Sequence, residues 1–217
     1  MNHSRKFIFV VAAVLGFTMD VVLAQGPARP GTIPKPQAAP RYRQPCAFGD
    51  PRTRLEQLDL EIEKVVVRGS TTIGFIAGRN GSIRVEAIEL KDVGAPVTRV
   101  LGVVVTLKEA NRPEAEPGQG EIRSFMDYEE IDPLLKGLDT VAKTDDTITK
   151  LANFEAHYTT KGQLEIAGFR QTPGGAVGAA VSGGDCDRVR ILLSLEELSK
   201  FRYMISQAKT RLEEINP

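Results

Sequence analysis

The chain has 217 residues, with 28 Lys and Arg against 28 Asp and Glu, so its formal net charge is zero. That balance supplies no long-range electrostatic drive toward nucleic acid or an anionic membrane surface. The absence of Trp and an aromatic content of 6% argue against a sugar-stacking cleft, and the length suits one domain with a real core.

Arg5 and Lys6 precede an apolar run over 7–19, which Asp20 interrupts and Val22-Leu23-Ala24 closes. Basic head, short apolar body and small-residue exit predict a cleavable signal peptide over 1–24. A transmembrane anchor would need about 20 uninterrupted apolar residues. No cysteine follows the run for lipid attachment, and no later segment is apolar for long enough to span a bilayer. Removal of 1–24 leaves 26 basic and 27 acidic residues. The expected destination is the periplasm or the extracellular space, with no transmembrane segment in the mature chain.

Residues 25–51 hold seven prolines and few apolar side chains. Such a segment cannot bury enough surface to offset its ordering entropy, so 25–49 is expected to be a disordered leader and 50–217 the folded domain.

Asp50 and Pro51 suit the start of a short helix over 51–58, with Leu55 and Leu58 at helical spacing. The pattern then alternates over 60–68, as in a strand. Segments 71–78 and 83–90 flank Asn80-Gly81, the signature of a two-residue type I′ hairpin, which would pair Ile76 with Val85 and Gly74 with Ala87. The run 98–107 is apolar at both parities and predicts a central strand covered on both faces. A polar loop over 109–120 leads to a strand over 121–126.

Asp127 and Glu130 form a capping-box pattern ahead of the stripe Ile131, Leu134, Leu135, Leu138, Val141 and Ala142. Pro133 conflicts with a helix begun at Tyr128. Either the helix bends there, or it starts afresh at Pro133 with Asp132 as cap. A second hairpin joins 153–159 to 163–170 through Thr160-Lys161-Gly162. A three-residue loop ending on left-handed Gly162 pairs Tyr158 with Leu164 and Ala156 with Ile166, gathering Phe154, Ala156, Tyr158, Leu164 and Ile166 on one face. A Gly-rich loop over 173–184 precedes a strand over 188–193. Ser194 and Glu197 then cap a final helix with the stripe Leu198, Phe201, Ile205, Ala208, Leu212 and Ile215.

Residues 125–131 match 192–198 in kind: strand end, cap, acidic first turn, apolar stripe. The match has two readings, a strands-then-helix unit used twice, or capping chemistry common to two helices. The fold class expected is α+β: one domain, a mainly antiparallel sheet of about eight strands, and two main amphipathic helices packed on it.

The stretches RLEQLDLEIEKVVVRGSTTIGFIAG, FMDYEEIDPLLKGLDTVAK, TKLANFEAHYTTKGQLEIAGF and LSLEELSKFRYMISQAK resemble an uncharacterised bacterial exported family, over most of 53–214. The resemblance implies one exported domain and no particular chemistry. Pro133 departs from it within the helix.

His157 is the one histidine beyond the signal, and the expected register sets Glu165 opposite it with Thr159 nearby. Such a pair could orient a general base, or form an exposed cross-strand polar pair. One histidine makes a histidine-based metal site an unfavoured expectation. The Gly-rich loop lacks the GK[ST] ending of a phosphate loop. Tyr128, Glu129 and Glu130, and Asp145 with Asp146, lack calcium-loop spacing. Cys46 and Cys186, the only cysteines, are expected to form a disulfide after export. No cofactor is expected and no nucleic-acid partner; the partner is not legible, an envelope protein being one option. The function expected is an exported, non-catalytic binding or structural protein. The alternatives are a carrier of a small apolar ligand in a sheet concavity near Gly74, Ala87 and Gly102, and a hydrolase centred on His157.

Overall fold

The computed structural model describes residues 52–94, 96–110, 120–145, 147–151, 153–170, 175–184 and 188–216. The expected signal segment and leader, the expected Cys46–Cys186 disulfide, Asp146 and parts of the Gly-rich loop lie outside the described residues.

A first helix, α1 (Arg54–Asp59), is capped by Thr53, whose side chain accepts from the Glu56 N–H. Four antiparallel strands follow in meander order: β1 (Val66–Gly78), β2 (Gly81–Asp92), β3 (Thr98–Glu109) and β4 (Glu121–Asp127). A 3-10 turn (Tyr128–Glu130) runs into α2 (Ile131–Ala142). The same sequence of events then recurs: β5 (Phe154–Thr159), β6 (Glu165–Arg170), β7 (Gly178–Gly183) and β8 (Val189–Leu193) in meander order, and then α3 (Leu195–Glu214). The described residues therefore form an α+β domain of eight strands in two four-stranded sheets, and among them the strands-then-helix order occurs twice.

Both helix starts carry the capping box: Asp127 with Glu130, and Ser194 with Glu197. The Pro133 conflict resolves by compromise. The chain winds from Tyr128 as the cap requires, but α-helix proper begins at Ile131. Pro133 then sits in the first α turn, where a missing N–H costs little.

Each helix covers the other unit's sheet. α3 packs on β1 and β2, α2 packs on β5 and β6, and the two helices lie against each other. One continuous core results, joining Ile83, Val85, Val103 and Val105 of the first sheet to Ile166, Val181 and Ile191 of the second, with Leu134, Leu138, Phe201 and Ile205 from the helices. Fully burying side chains of this size contributes roughly 1.5–3 kcal/mol each before entropy is charged against it. A second cluster, Leu55, Leu58, Ile88, Leu90, Val100 and Val104, lies between α1 and the far face of the first sheet. β3 is thus covered on both faces, as its apolar run predicts.

The turns interlock the units. Asn80 of the β1–β2 turn donates from Nδ2 to the Arg190 carbonyl at 2.7 Å and accepts from the Leu192 N–H at 2.9 Å, while the Arg79 N–H donates to the Leu192 carbonyl at 3.0 Å. Across the molecule, the β5–β6 turn lies on β4: the Lys161 N–H donates to Glu130 Oε1 at 2.9 Å, and Gly162 leaves room for the Phe125 carbonyl. Phe125 and Leu192 are the matched residues of the 125–131 and 192–198 segments, so the two dockings are equivalent.

Several expected details are corrected. α1 starts at Arg54 with Thr53 as its cap, three residues after the expected start. Segments 60–68 and 71–78 are not separate strands: 66–78 is one strand with an irregularity between Thr72 and Gly74. The Gly-rich stretch contains β7, whose small residues lie almost entirely buried. The first hairpin turns at Arg79-Asn80 and pairs Ile76 with Ile83 and Gly74 with Val85. Neither turn residue has positive φ, so the turn is not type I′; tertiary hydrogen bonds to β8 hold it instead. In the second hairpin Tyr158 faces Ile166 and Ala156 faces Gly168, two positions from expectation. Gln163, not Gly162, takes the left-handed conformation (φ 61°). The Thr160 N–H donates to the Leu164 carbonyl and its hydroxyl accepts from the Leu164 N–H, which extends the loop. A two-residue slip preserves parity, so Leu164 and Ile166 still enter the core.

Candidate functional site

Four strand edges end the two sheets, and three are covered or defended. The outer side of β8 is held by Arg79 and Asn80, and that of β4 by the 160–163 turn. β5 is six residues long and displays Glu155 and His157. β1 differs from all of them. It is 13 residues long, stands first in its sheet and is exposed throughout 67–72. That stretch reads Val-Arg-Gly-Ser-Thr-Thr, with one charge, and Arg68 is engaged by Asp59 at 3.0 Å.

Antiparallel pairing alternates between bonded and non-bonded residue pairs. The Ala110 N–H donates to the Asn80 carbonyl, and the Val93 N–H donates to the Val65 carbonyl. Odd-numbered residues of β2 therefore bond toward β1. Their partners Val67, Gly69 and Thr71 use their backbone groups inward. Arg68, Ser70 and Thr72 direct theirs outward, where no described residue meets them.

Beside this edge a crevice of about 230 Å³ opens between β1–β2 and the last turns of α3. Its floor is Ala87, Leu212 and Ile215, and Glu89 and Arg211 stand on its rim. Gly69 keeps it open, since a Cβ there would find its nearest neighbours only at 3.8 Å. The rim charges are paired: Arg99 donates to Glu89 and, at 2.6 Å, to the Ile215 carbonyl, and Arg211 donates to Glu214. The volume is below that of ordinary small-molecule clefts, about 300–1,000 Å³, and suits one apolar side chain.

The start of β1 borders an apolar surface. Leu60, Ile62, Val65, Val67, Val93 and Val97 are each at least half exposed.

The residues singled out from sequence are dispersed. His157 is exposed and faces Ala167; Glu165 faces Thr159 and is ion-paired with Arg188. The Glu–His pair is therefore not brought together. The hydroxyl of Ser182, buried beside Glu165, has no hydrogen-bond partner among the described residues. Glu130 serves the fold through Asp127 and Lys161, Glu129 binds Arg54, and Tyr128 donates to Glu213. Burial, then the Glu213 carboxylate, raises the Tyr128 phenol. Asp145 accepts from the Thr147 hydroxyl and N–H, which lowers its carboxyl. Among the described residues, no three His, Cys, Asp or Glu side chains stand together to hold a metal, and no helix is long and apolar enough to cross a membrane. At the proposed concavity, Met204 packs over Gly74, and Leu55 with the Met126 backbone fills the space at Gly102. Ala87 alone reaches an opening, the crevice itself.

The edge escaped sequence reasoning because Gly69-Ser70 reads as a break between two strands. The signal that could have found it is the absence of charge over 69–76. Comparison with protein-family models and with curated proteins finds no match.

Proposed function

We propose that this protein is an exported, non-catalytic binding protein that accepts an extended polypeptide segment as an added strand on β1. The observation that carries this reading is the outward backbone of Arg68, Ser70 and Thr72 beside the crevice. Strand addition draws affinity from main-chain hydrogen bonds and selectivity from pockets for alternate side chains. The edge supplies the first and the crevice the second. Export is supported by the basic head, short apolar body and Val-Leu-Ala exit at 1–24, and the terminus of exported material should be Gln25.

The test uses the exported chain against a random-peptide display library. Selected peptides should bind wild type and lose at least about tenfold in affinity to Ser70→Pro, which deletes an outward N–H and is tolerated on an edge. Equal binding by Ser70→Pro, or failure of a monomeric chain to select any peptide, would remove the reading. The apolar floor favours a second reading, a carrier of a small apolar ligand. Gly69→Val would block such a ligand, whereas Ser70→Pro would not.

A further inference from the structure

We infer that the strand received by β1 is β1 of a second copy, so that two chains form a two-fold dimer with one continuous eight-stranded sheet. This inference rests on the reading of β1 as a docking edge and names the partner.

The strand is complementary to itself. In antiparallel pairing about a two-fold axis through Ser70, Ser70 meets Ser70 of the other copy and Arg68 meets Thr72. The outward groups of Arg68, Ser70 and Thr72 then face one another, giving about six main-chain hydrogen bonds in alternating narrow pairs. The two Arg68 side chains stand four positions apart, roughly 13 Å along the strand, so no like charges oppose. Each is already neutralised by its own Asp59.

The apolar side chains at the two ends of β1 fit the same axis. Phe75 is 67% exposed at one end, and Val66 at the other end packs on the second apolar cluster. Continuing the pairing outward brings Phe75 of each copy opposite Val66 of the other, the irregularity after Thr72 shifting the match by one position. Both side chains lie on the face that carries α1, since they pair with even-numbered positions of β2, so the exposed ring of each copy extends the second apolar cluster of the other. A long, unprotected edge with a single, already paired charge is otherwise an aggregation hazard, and a closed two-fold pairing consumes it. β5 lacks this self-complementarity, since Glu155 and His157 interrupt its exposed face.

The test is the mass of the full exported chain by equilibrium sedimentation over a wide concentration range. A dimer is expected. Ser70→Pro and Phe75→Glu should each raise its dissociation constant at least about tenfold. Glu155→Lys on β5 should not change it. Phe75→Glu alters an exposed side chain, so it decides the matter if Ser70→Pro does not fold. A monomer at every concentration, or a dimer indifferent to both variants, overturns the inference. A monomer that still selects peptides lost on Ser70→Pro overturns the second copy and keeps the docking edge. A monomer that selects none overturns both.

Discussion

Asn80 holds the backbone of Leu192 from 112 residues away, accepting its N–H at 2.9 Å, while the same side chain donates to the neighbouring Arg190 carbonyl. A turn side chain thereby takes the place of the strand that β8 lacks on its outer side. Asn80→Ala strands one donor and one acceptor in a part-buried seam. The expected loss is about 2–3 kcal/mol, from the cost of unsatisfied groups. Urea unfolding checks it; a loss below about 0.5 kcal/mol would show that β8 does not depend on the turn.

Gly162 and Gly69 should respond oppositely to the same substitution. A Cβ at Gly162 would overlap the Phe125 carbonyl oxygen, a backbone atom that cannot yield. Gly162→Ala must lift the β5–β6 turn from β4, at about 1–3 kcal/mol. Gly69→Ala meets Glu89 only at an ordinary van der Waals distance of 3.8 Å and reduces the freedom of the unfolded chain, so it should be neutral or stabilising by up to about 1 kcal/mol. Thermal unfolding of the two variants side by side gives the comparison.

The cap of α3 carries a pH dependence. Glu197 accepts the Ser194 N–H at 2.6 Å, and this bond, chiefly, holds its carboxyl below the ordinary range. A depressed folded value stabilises the protein above the unfolded value, about 4.3 for Glu, and that stabilisation disappears as pH falls through the folded value. The stability gap between wild type and Glu197→Gln should be constant from neutrality to about pH 5 and close in stronger acid. A gap that widened on acidification would show that the carboxylate is not the bonded form.

The fold was legible wherever the signal is local. Ser194 with Glu197 and Asp127 with Glu130 start their helices as their spacing predicts, because a capping box involves only neighbours along the chain. Face parity in both hairpins was legible too, since burial fixes it. Register was not. The Asn-Gly pair suggests a type I′ turn, but Asn80 is bonded to β8, a partner remote in sequence. Gly162 is required by Phe125 and not by its own turn. β7 was hidden because Gly178, Ala179, Ala180, Ser182 and Gly183 give no apolar period. Small residues are needed there because Gly183 lies against Ser124 of β4 and Arg190 reaches over the face to Phe169. The candidate site was the least legible part. An open edge is defined by which elements fail to cover it, and that is a property of topology.

The crossed placement of the helices governs when the molecule can become stable. The first sheet is complete at Asp127, yet its cover, α3, follows the whole second sheet and spans Leu195–Glu214. During synthesis the first sheet waits with its apolar face open until the second sheet and α3 have been made. Conversely, a chain cut between α2 and β5 would give two fragments, each holding the helix the other needs. Neither should fold alone, and mixing them should restore the native domain as a one-to-one complex.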